Sequence, residues 1–437
     1  MFLQAKEESK MAHNIQTVKN ERIGEQYYYI KHPSGLDIMV WEMPNYSTAH
    51  ALFGTKYGSI NTKFKTSKDK DYITVPEGIA HFLEHKLFEN EDCDVFSLYA
   101  KTGASANAYT SFDKTCYLFS CTDNFEESLK ILLSFVQSPY FTKETVEKEQ
   151  GIIGQEIRMY DDNPNWRVFF NLLSAVYHNH PVKIDIAGTV ESIAKIDADL
   201  LYKCYNTFYN LNNMVLSVAG NVKVEKVLEL CDELLKPCEN TNLQTAFEEE
   251  PESVAKKEAV QKLAVATPLF NIGFKAKPEK GIDGLRAEIE TNIVLALLAD
   301  ESSNLYKRLY EEGVINSTFG SEVFDGDGYF CSILAGESRN PRQVYSRIID
   351  EIEKAKTDGL DKERFEIIKK AYYGSQIREF NNVEAVATSM INSRMEGVSP
   401  FDVIETIASV TFDDVQKRLF KQFNIENSAI SIIEPLQ

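Results

Sequence analysis

No histidine follows His180 in this chain of 437 residues, so any imidazole-based chemistry belongs to its first half. Cysteine is also scarce. The seven residues (Cys93, Cys116, Cys121, Cys204, Cys231, Cys238 and Cys331) are scattered and contain no C-x-x-C pair. An odd, unpatterned set argues against a disulfide framework and for a reducing compartment. No apolar run approaches the roughly 18 residues that a membrane span needs. The first residues, Met1-Phe2-Leu3-Gln4-Ala5-Lys6-Glu7-Glu8, turn acidic at once and offer no apolar core of signal-peptide length. Positive charge is in deficit, 47 Lys and Arg against 66 Asp and Glu, for a net charge of −19. That balance argues against a nucleic-acid partner and against an anionic membrane surface. A cytoplasmic protein with neither kind of partner is expected.

What is present is ordinary globular composition, 43% hydrophobic and 26% charged, at a length that favours two or more domains. Tyr28 to Val40 alternates apolar residues around Pro33-Ser34-Gly35, which predicts a hairpin. Ala51 to Ile60 predicts another strand, and Thr62 to Asp71 a polar loop. Pro76-Glu77-Gly78 predicts a helix start, because Pro suits the first turn and Glu the positive end of the dipole. Strands follow near Ala104–Ser111 and Thr115–Cys121, then helices over Glu126–Val136 and Lys143–Tyr160, the latter stopped at Asp162-Asn163-Pro164.

The expected helix after Gly78 carries His81-Phe82-Leu83-Glu84-His85. Residues three and four apart share a helix face, so His81, Glu84 and His85 project together. Two imidazoles and a carboxylate are what a hydrolytic zinc site needs, two ligands and a proton acceptor. The order H-x-x-E-H is the inverse of the H-E-x-x-H signature. A catalytic zinc usually has three protein ligands plus water. Candidates for the third lie on the later helix, where Glu149 and Glu156 are seven residues apart and therefore on one face. His178 and His180, two apart before Pro181, are a loop pattern and not a second metal pair.

The second half repeats the first. Ile193-Ala194-Lys195-Ile196-Asp197 through Phe208, Asn213 and Ser217 aligns with Ile407-Ala408-Ser409-Val410-Thr411 through Phe423, Asn427 and Ser431. Phe141-Thr142-Lys143-Glu144 aligns with Leu360-Asp361-Lys362-Glu363, which sets Ile368 against Glu149 and Ser375 against Glu156. The expected fold is α+β: two tandem, similar mixed α/β modules, each a largely antiparallel sheet packed on helices. The expected boundaries are a metal-binding module at 1–240, an acidic linker at 241–258 and a module without metal at 259–437.

His81 to His85, Gly103-Ala104-Ser105-Ala106-Asn107-Ala108-Tyr109-Thr110, Glu149 and Glu156 together resemble the pitrilysin, insulin-degrading enzyme and mitochondrial processing peptidase family, the inverzincins. The resemblance covers nearly the whole chain. Ile152-Ile153-Gly154-Gln155-Glu156-Ile157-Arg158-Met159-Tyr160-Asp161-Asp162-Asn163-Pro164 places it nearest the bacterial YmfH-like members. It implies half of a clamshell holding one Zn2+ per chain on His81, His85 and Glu156. It also implies Glu84 as general base and Glu149 as the carboxylate that orients a ligand. Asn107 and Ala108 become substrate contacts on a strand to which a peptide adds as a further strand.

The chain departs from the family in one place. Active members supply an arginine and, seven residues later, a tyrosine, in a pattern close to R-E-K-x-G-L-x-Y. Aligned on Gly313, those positions hold Leu309 and Asn316 here. Arg308 is one residue off, a rotation of about 100° on a helix, and Tyr306 and Tyr310 read as packed helix aromatics. The expectation is a zinc metalloendopeptidase subunit for small or unfolded peptides. It needs a paralogous inverzincin chain, as a heterodimer, or a second copy, as a homodimer. The competing expectation is a non-catalytic or weakly active zinc-binding subunit or a peptide-binding chamber.

Overall fold

The computed structural model describes residues 13–91 and 94–436; the expectations drawn from Met1–Glu8 and from Cys93 fall outside them. Seven strands form a first sheet: β1 (Gln16–Asn20), β2 (Glu25–Lys31), β3 (Asp37–Glu42), β4 (Ala49–Thr55), β5 (Ser105–Thr110), β6 (Thr115–Cys121) and β7 (Met214–Gly220). Their spatial order is β1-β2-β3-β7-β4-β6-β5. Five strands form a second: β8 (Glu258–Leu263), β9 (Leu269–Lys275), β10 (Gly320–Gly326), β11 (Tyr329–Glu337) and β12 (Ser428–Pro435), in the order β8-β12-β9-β11-β10. Among the described residues only β3 with β7 and β8 with β12 pair in parallel; the other ladders are antiparallel. From β3 to β5 the first sheet therefore has the topology of the whole second sheet, as the repeated sequence segments imply.

Both faces of each sheet are covered. In β3, Ile38 and Val40 face one core while Met39 and Trp41 face another, which is why this strand is an unbroken apolar run. The helices that matter most are α1 (Ile79–Leu87), α2 (Lys143–Asp161), α3 (Pro164–Val176), α4 (Gly281–Ala299), α5 (Lys362–Glu379) and α6 (Val383–Glu396). Two of them cross over. Helix α3, from the first half, packs on β9 and β12 of the second sheet; α6, from the second half, packs on β4 and β7 of the first. Val383, Val386, Met390 and Ile391 of α6 are buried against Met39, Trp41, Leu52 and Val215. Each such side chain contributes roughly 1.5–3 kcal/mol on burial, and Ser217 Oγ donates to the Ala387 carbonyl at 2.7 Å.

Some local expectations need correction. The strand expected over Ala51–Ile60 ends at Thr55. Beyond it the chain turns under the β5–β6 hairpin, where Ser59 and Ile60 N–H donate to the Ser111 and Phe112 carbonyls. Pro76 and Glu77 precede α1 and do not form its first turn; Gly78 is its N-cap, at φ 85°. A Cβ on Gly78 would lie 2.3 Å from the Ala187 carbonyl oxygen, so a close approach from a distant loop fixes the helix start. Asp162 is the C-cap of α2 and Asn163 caps α3, accepting from Asn165 and Trp166 N–H. Within the acidic 241–258 segment, Gln244–Thr245 pairs with Lys63–Lys65, inside the expected polar loop. Glu250 accepts from Lys275 Nζ at 2.5 Å and from the N–H groups of His178, Asn179 and His180.

Candidate metal centre

Helices α1 and α2 pack against each other. The α2 start is fixed by a capping box in which Thr142 Oγ1 accepts from Thr145 N–H and Thr145 Oγ1 from Thr142 N–H. Its buried residues Val146, Glu149, Ile153 and Ile157 make one face, and Glu156 extends that face toward α1. The ligand atoms of His81, His85 and Glu156 lie within 4.8 Å of one another.

His81 Nε2 stands 3.8 Å from Glu156 Oε1, and His85 Nε2 3.6 Å from Glu156 Oε2. These separations are too long for hydrogen bonds. They suit a shared ion: ligand bonds of about 2.0–2.1 Å in a tetrahedron set donors roughly 3.3–3.4 Å apart. The two rings are 4.6 Å apart at an interplanar angle of 65°, so they converge without stacking. Burial drives the His81 pKa down to about 3, with the adjacent His85 adding to the effect, so its ring is neutral and has a lone pair to offer. Burial also pulls on His85, but the hydrogen bond it donates to Glu149 and the charges of Glu84, Glu149 and Glu156 outweigh it and raise its pKa.

Glu149 is buried, and one of its carboxylate oxygens lies 2.9 Å from His85 Nδ1. A carboxylate at that nitrogen holds the proton on Nδ1 and leaves Nε2 to face Glu156. His81 Nδ1 has no such partner among the described residues; packing alone orients that ring. Glu84 points to the same side of α1, its pKa raised chiefly by burial. Its Oε2 accepts from the Thr110 hydroxyl at 2.9 Å.

Thr110 ends β5, the outermost strand of the first sheet beside β6. Asn107 is exposed on that strand and its Oδ1 accepts from the Ala108 N–H at 2.9 Å. The structure thus brings His81, Glu84, His85, Glu149 and Glu156 into one cluster with β5 alongside. Sequence reasoning named those five and assigned Thr110 no role; its alternation with Ala106 and Ala108, on the face that meets α1, was the available signal.

A second trio, His13, His32 and Asp232, also converges, and nothing in the sequence spacing points to it. His13 Nε2 and His32 Nε2 lie 2.9 and 3.0 Å from the two Asp232 oxygens, which are hydrogen-bond lengths. The Ser34 backbone N–H donates to His32 Nδ1 at 3.2 Å, so the His32 proton sits on Nε2 and is given to Asp232. This trio is a hydrogen-bonded clasp between the N-terminal segment and the helix bearing Asp232. His180 is buried, with a pKa lowered by burial to about 4, and its Nε2 meets the Asp327 carbonyl oxygen at 3.1 Å; it is structural.

In the second half the helix pair α4 and α5 repeats α1 and α2. Between them lies a cavity of about 530 Å³ lined by Asn292, Ile368, Tyr372 and Ser375 among others, with no imidazole in reach.

The fold is mixed α/β and rich in antiparallel pairing, and it sets an H-x-x-E-H helix against a glutamate-bearing one. Residues 70–190 match the model of the insulinase family (peptidase family M16), and residues 195–372 that of the peptidase M16 inactive domain. The chain is 39% identical over 426 residues to the uncharacterized zinc protease YmfH of Bacillus subtilis (strain 168), covering 96% of this chain and 99% of that one. The crystal structure of an M16-like peptidase from Alicyclobacillus acidocaldarius superposes with a TM-score of 0.90 at 30% identity, over 98% of this chain and 100% of that one. Pitrilysin superposes with a TM-score of 0.76 at 15% identity, over 96% of this chain but 46% of its own. The chain belongs to the insulinase, or M16, peptidase family. No helix among the described residues is long and apolar enough to cross a membrane.

Proposed function

We propose that this chain is a zinc-dependent metalloendopeptidase subunit acting on small or unfolded peptides in the cytoplasm. The observation that carries the reading is the convergence of His81, His85 and Glu156 at ion-sharing distances with Glu84 on the same helix. In this reading residues 1–240 form the zinc-binding module, 241–258 the linker and 259–437 the module without metal. His81, His85 and Glu156 hold one zinc ion, and Glu149 fixes His85. When bound, zinc supplies Lewis acidity toward a water and a scissile carbonyl. The rest is the work of side chains: Glu84 takes a proton from the attacking water and passes it to the amine nitrogen as the C–N bond breaks. A peptide lies along the open edge of β5, contacted by Asn107 and Ala108.

The reading includes a second chain. Leu309 is fully buried in the second-half core, so no side chain from that position reaches a substrate. Arg308 is committed to Glu351 at 2.7 Å, and Asn316 to Glu337 at 2.8 Å. Missing transition-state donors cost orders of magnitude in rate. A paralogous chain carrying the arginine and tyrosine, or failing that a second copy, closes the clamshell. The test is elemental analysis of the purified chain together with hydrolysis of an unstructured fluorogenic peptide, by the chain alone and mixed with such a paralogue. One zinc per chain, with weak hydrolysis that rises about 100-fold on mixing, supports the reading. A metal-free chain, or full activity with no second polypeptide, refutes its zinc or its partner component respectively.

A further inference from the structure

We propose that Thr110 is the positioning residue for Glu84 and ties the general base to the strand along which a peptide lies; this rests on the peptidase reading above. The geometry begins with pairing. The Ser111 N–H donates to the Lys114 carbonyl at 2.8 Å, and Thr110 stands opposite Thr115 in the same register. Hydrogen-bonded and non-hydrogen-bonded pairs alternate in an antiparallel ladder. Thr110, Ala108 and Ala106 therefore turn their main-chain groups away from β6, to the open edge.

Their side chains share the face that meets α1. Ala106 and Ala108 are small and pack against the first core, which lets α1 approach β5 closely. Thr110 is the first polar side chain along that row, and it stands over Glu84. Its hydroxyl donates to Glu84 Oε2 at 2.9 Å.

The Thr110 hydroxyl has one proton, given to Glu84. Thr115 gives its own to the Tyr57 carbonyl at 2.8 Å and is fully buried. Thr110 is β-branched, which restricts its rotamer, and so Oε2 is held while Oε1 remains for a water. Losing a hydrogen bond to a charged group leaves the base present but unaligned.

The test compares zinc-loaded wild type with Thr110→Val and Thr110→Ser. Thr110→Val keeps the shape and removes the donor. Its turnover is expected to fall about 10- to 100-fold, with KM, zinc content and thermal midpoint unchanged, while Thr110→Ser stays within about threefold of wild type. Two readouts do not need turnover. The carboxylate stretch of Glu84, taken as the infrared difference between wild type and Glu84→Gln, should shift in Thr110→Val and return in Thr110→Ser. In the Glu84→Gln background, Thr110→Val should leave the Kd for the peptide unchanged. An unshifted carboxylate band overturns the inference, as does wild-type turnover in Thr110→Val. A weakened peptide Kd also overturns it, by making Thr110 a substrate contact. If zinc-loaded wild type cleaves nothing, the peptidase reading falls, and the infrared comparison still decides the role of Thr110.

Discussion

Glu149 holds His85 by its Nδ1 at 2.9 Å, from a helix 64 residues further along the chain. The contact makes the orientation of one proposed zinc ligand depend on a carboxylate outside the converging trio of His81, His85 and Glu156. Glu149→Ala should weaken zinc binding by about 10- to 100-fold while the fold survives. Competition against a chelator of known affinity, with thermal unfolding of the zinc-free protein as control, measures this. Unchanged zinc affinity would mean that packing alone sets the His85 ring.

A second pair anchors the acidic segment that precedes the second sheet. Glu250 and Lys275 are largely buried and bonded to each other. Burial alone would raise the Glu250 pKa, but Lys275 and three backbone N–H groups outweigh it and bring it down to about 2. A carboxylate depressed on folding stabilises the native state above its unfolded pKa of about 4.3, and that stability is lost as pH falls through the folded value. Urea midpoints of the wild type should therefore drop between about pH 5 and pH 2 more steeply than those of Glu250→Gln. At neutral pH the substitution leaves a buried lysine without its partner and should cost about 3 kcal/mol.

Leu309 accounts for the missing arginine in structural terms. Its side chain is packed with Ile293, Leu305 and Val344 in the second-half core. Leu309→Arg should therefore unfold the second half and not restore activity, costing more than about 3 kcal/mol for an unpaired buried charge. Chemical denaturation with tryptophan and far-UV signals checks it. A stable, more active Leu309→Arg variant would contradict the placement of Leu309 in that core.

Much of this was legible in the sequence, for identifiable reasons. The H-x-x-E-H spacing and the seven-residue step from Glu149 to Glu156 are helix geometry, and both survive into the structure unchanged. The repeat joining Ile193–Ser217 to Ile407–Ser431 foretells two sheets of one topology. What the sequence hid is long-range. Gly78 is left-handed because the Ala187 carbonyl crowds it, a contact that overrode the helix-start signal of Pro76 and Glu77. The apolar faces of α3 and α6 announce burial but not that each helix serves the other half's sheet. Nor does anything local bring His13, His32 and Asp232 together, and Thr110 gains meaning only once β5 is seen lying over α1.

The central claim is that His81, His85 and Glu156 hold a zinc ion beside Glu84 acting as base. The most direct measurement compares wild type and Glu84→Gln, purified identically, for zinc content and for cleavage of the same unstructured peptide in the presence of the paralogous chain. The account predicts one zinc per chain in both proteins and a turnover loss of at least about 100-fold in Glu84→Gln. Equal turnover in the two proteins, or a wild type that carries no zinc, would contradict it.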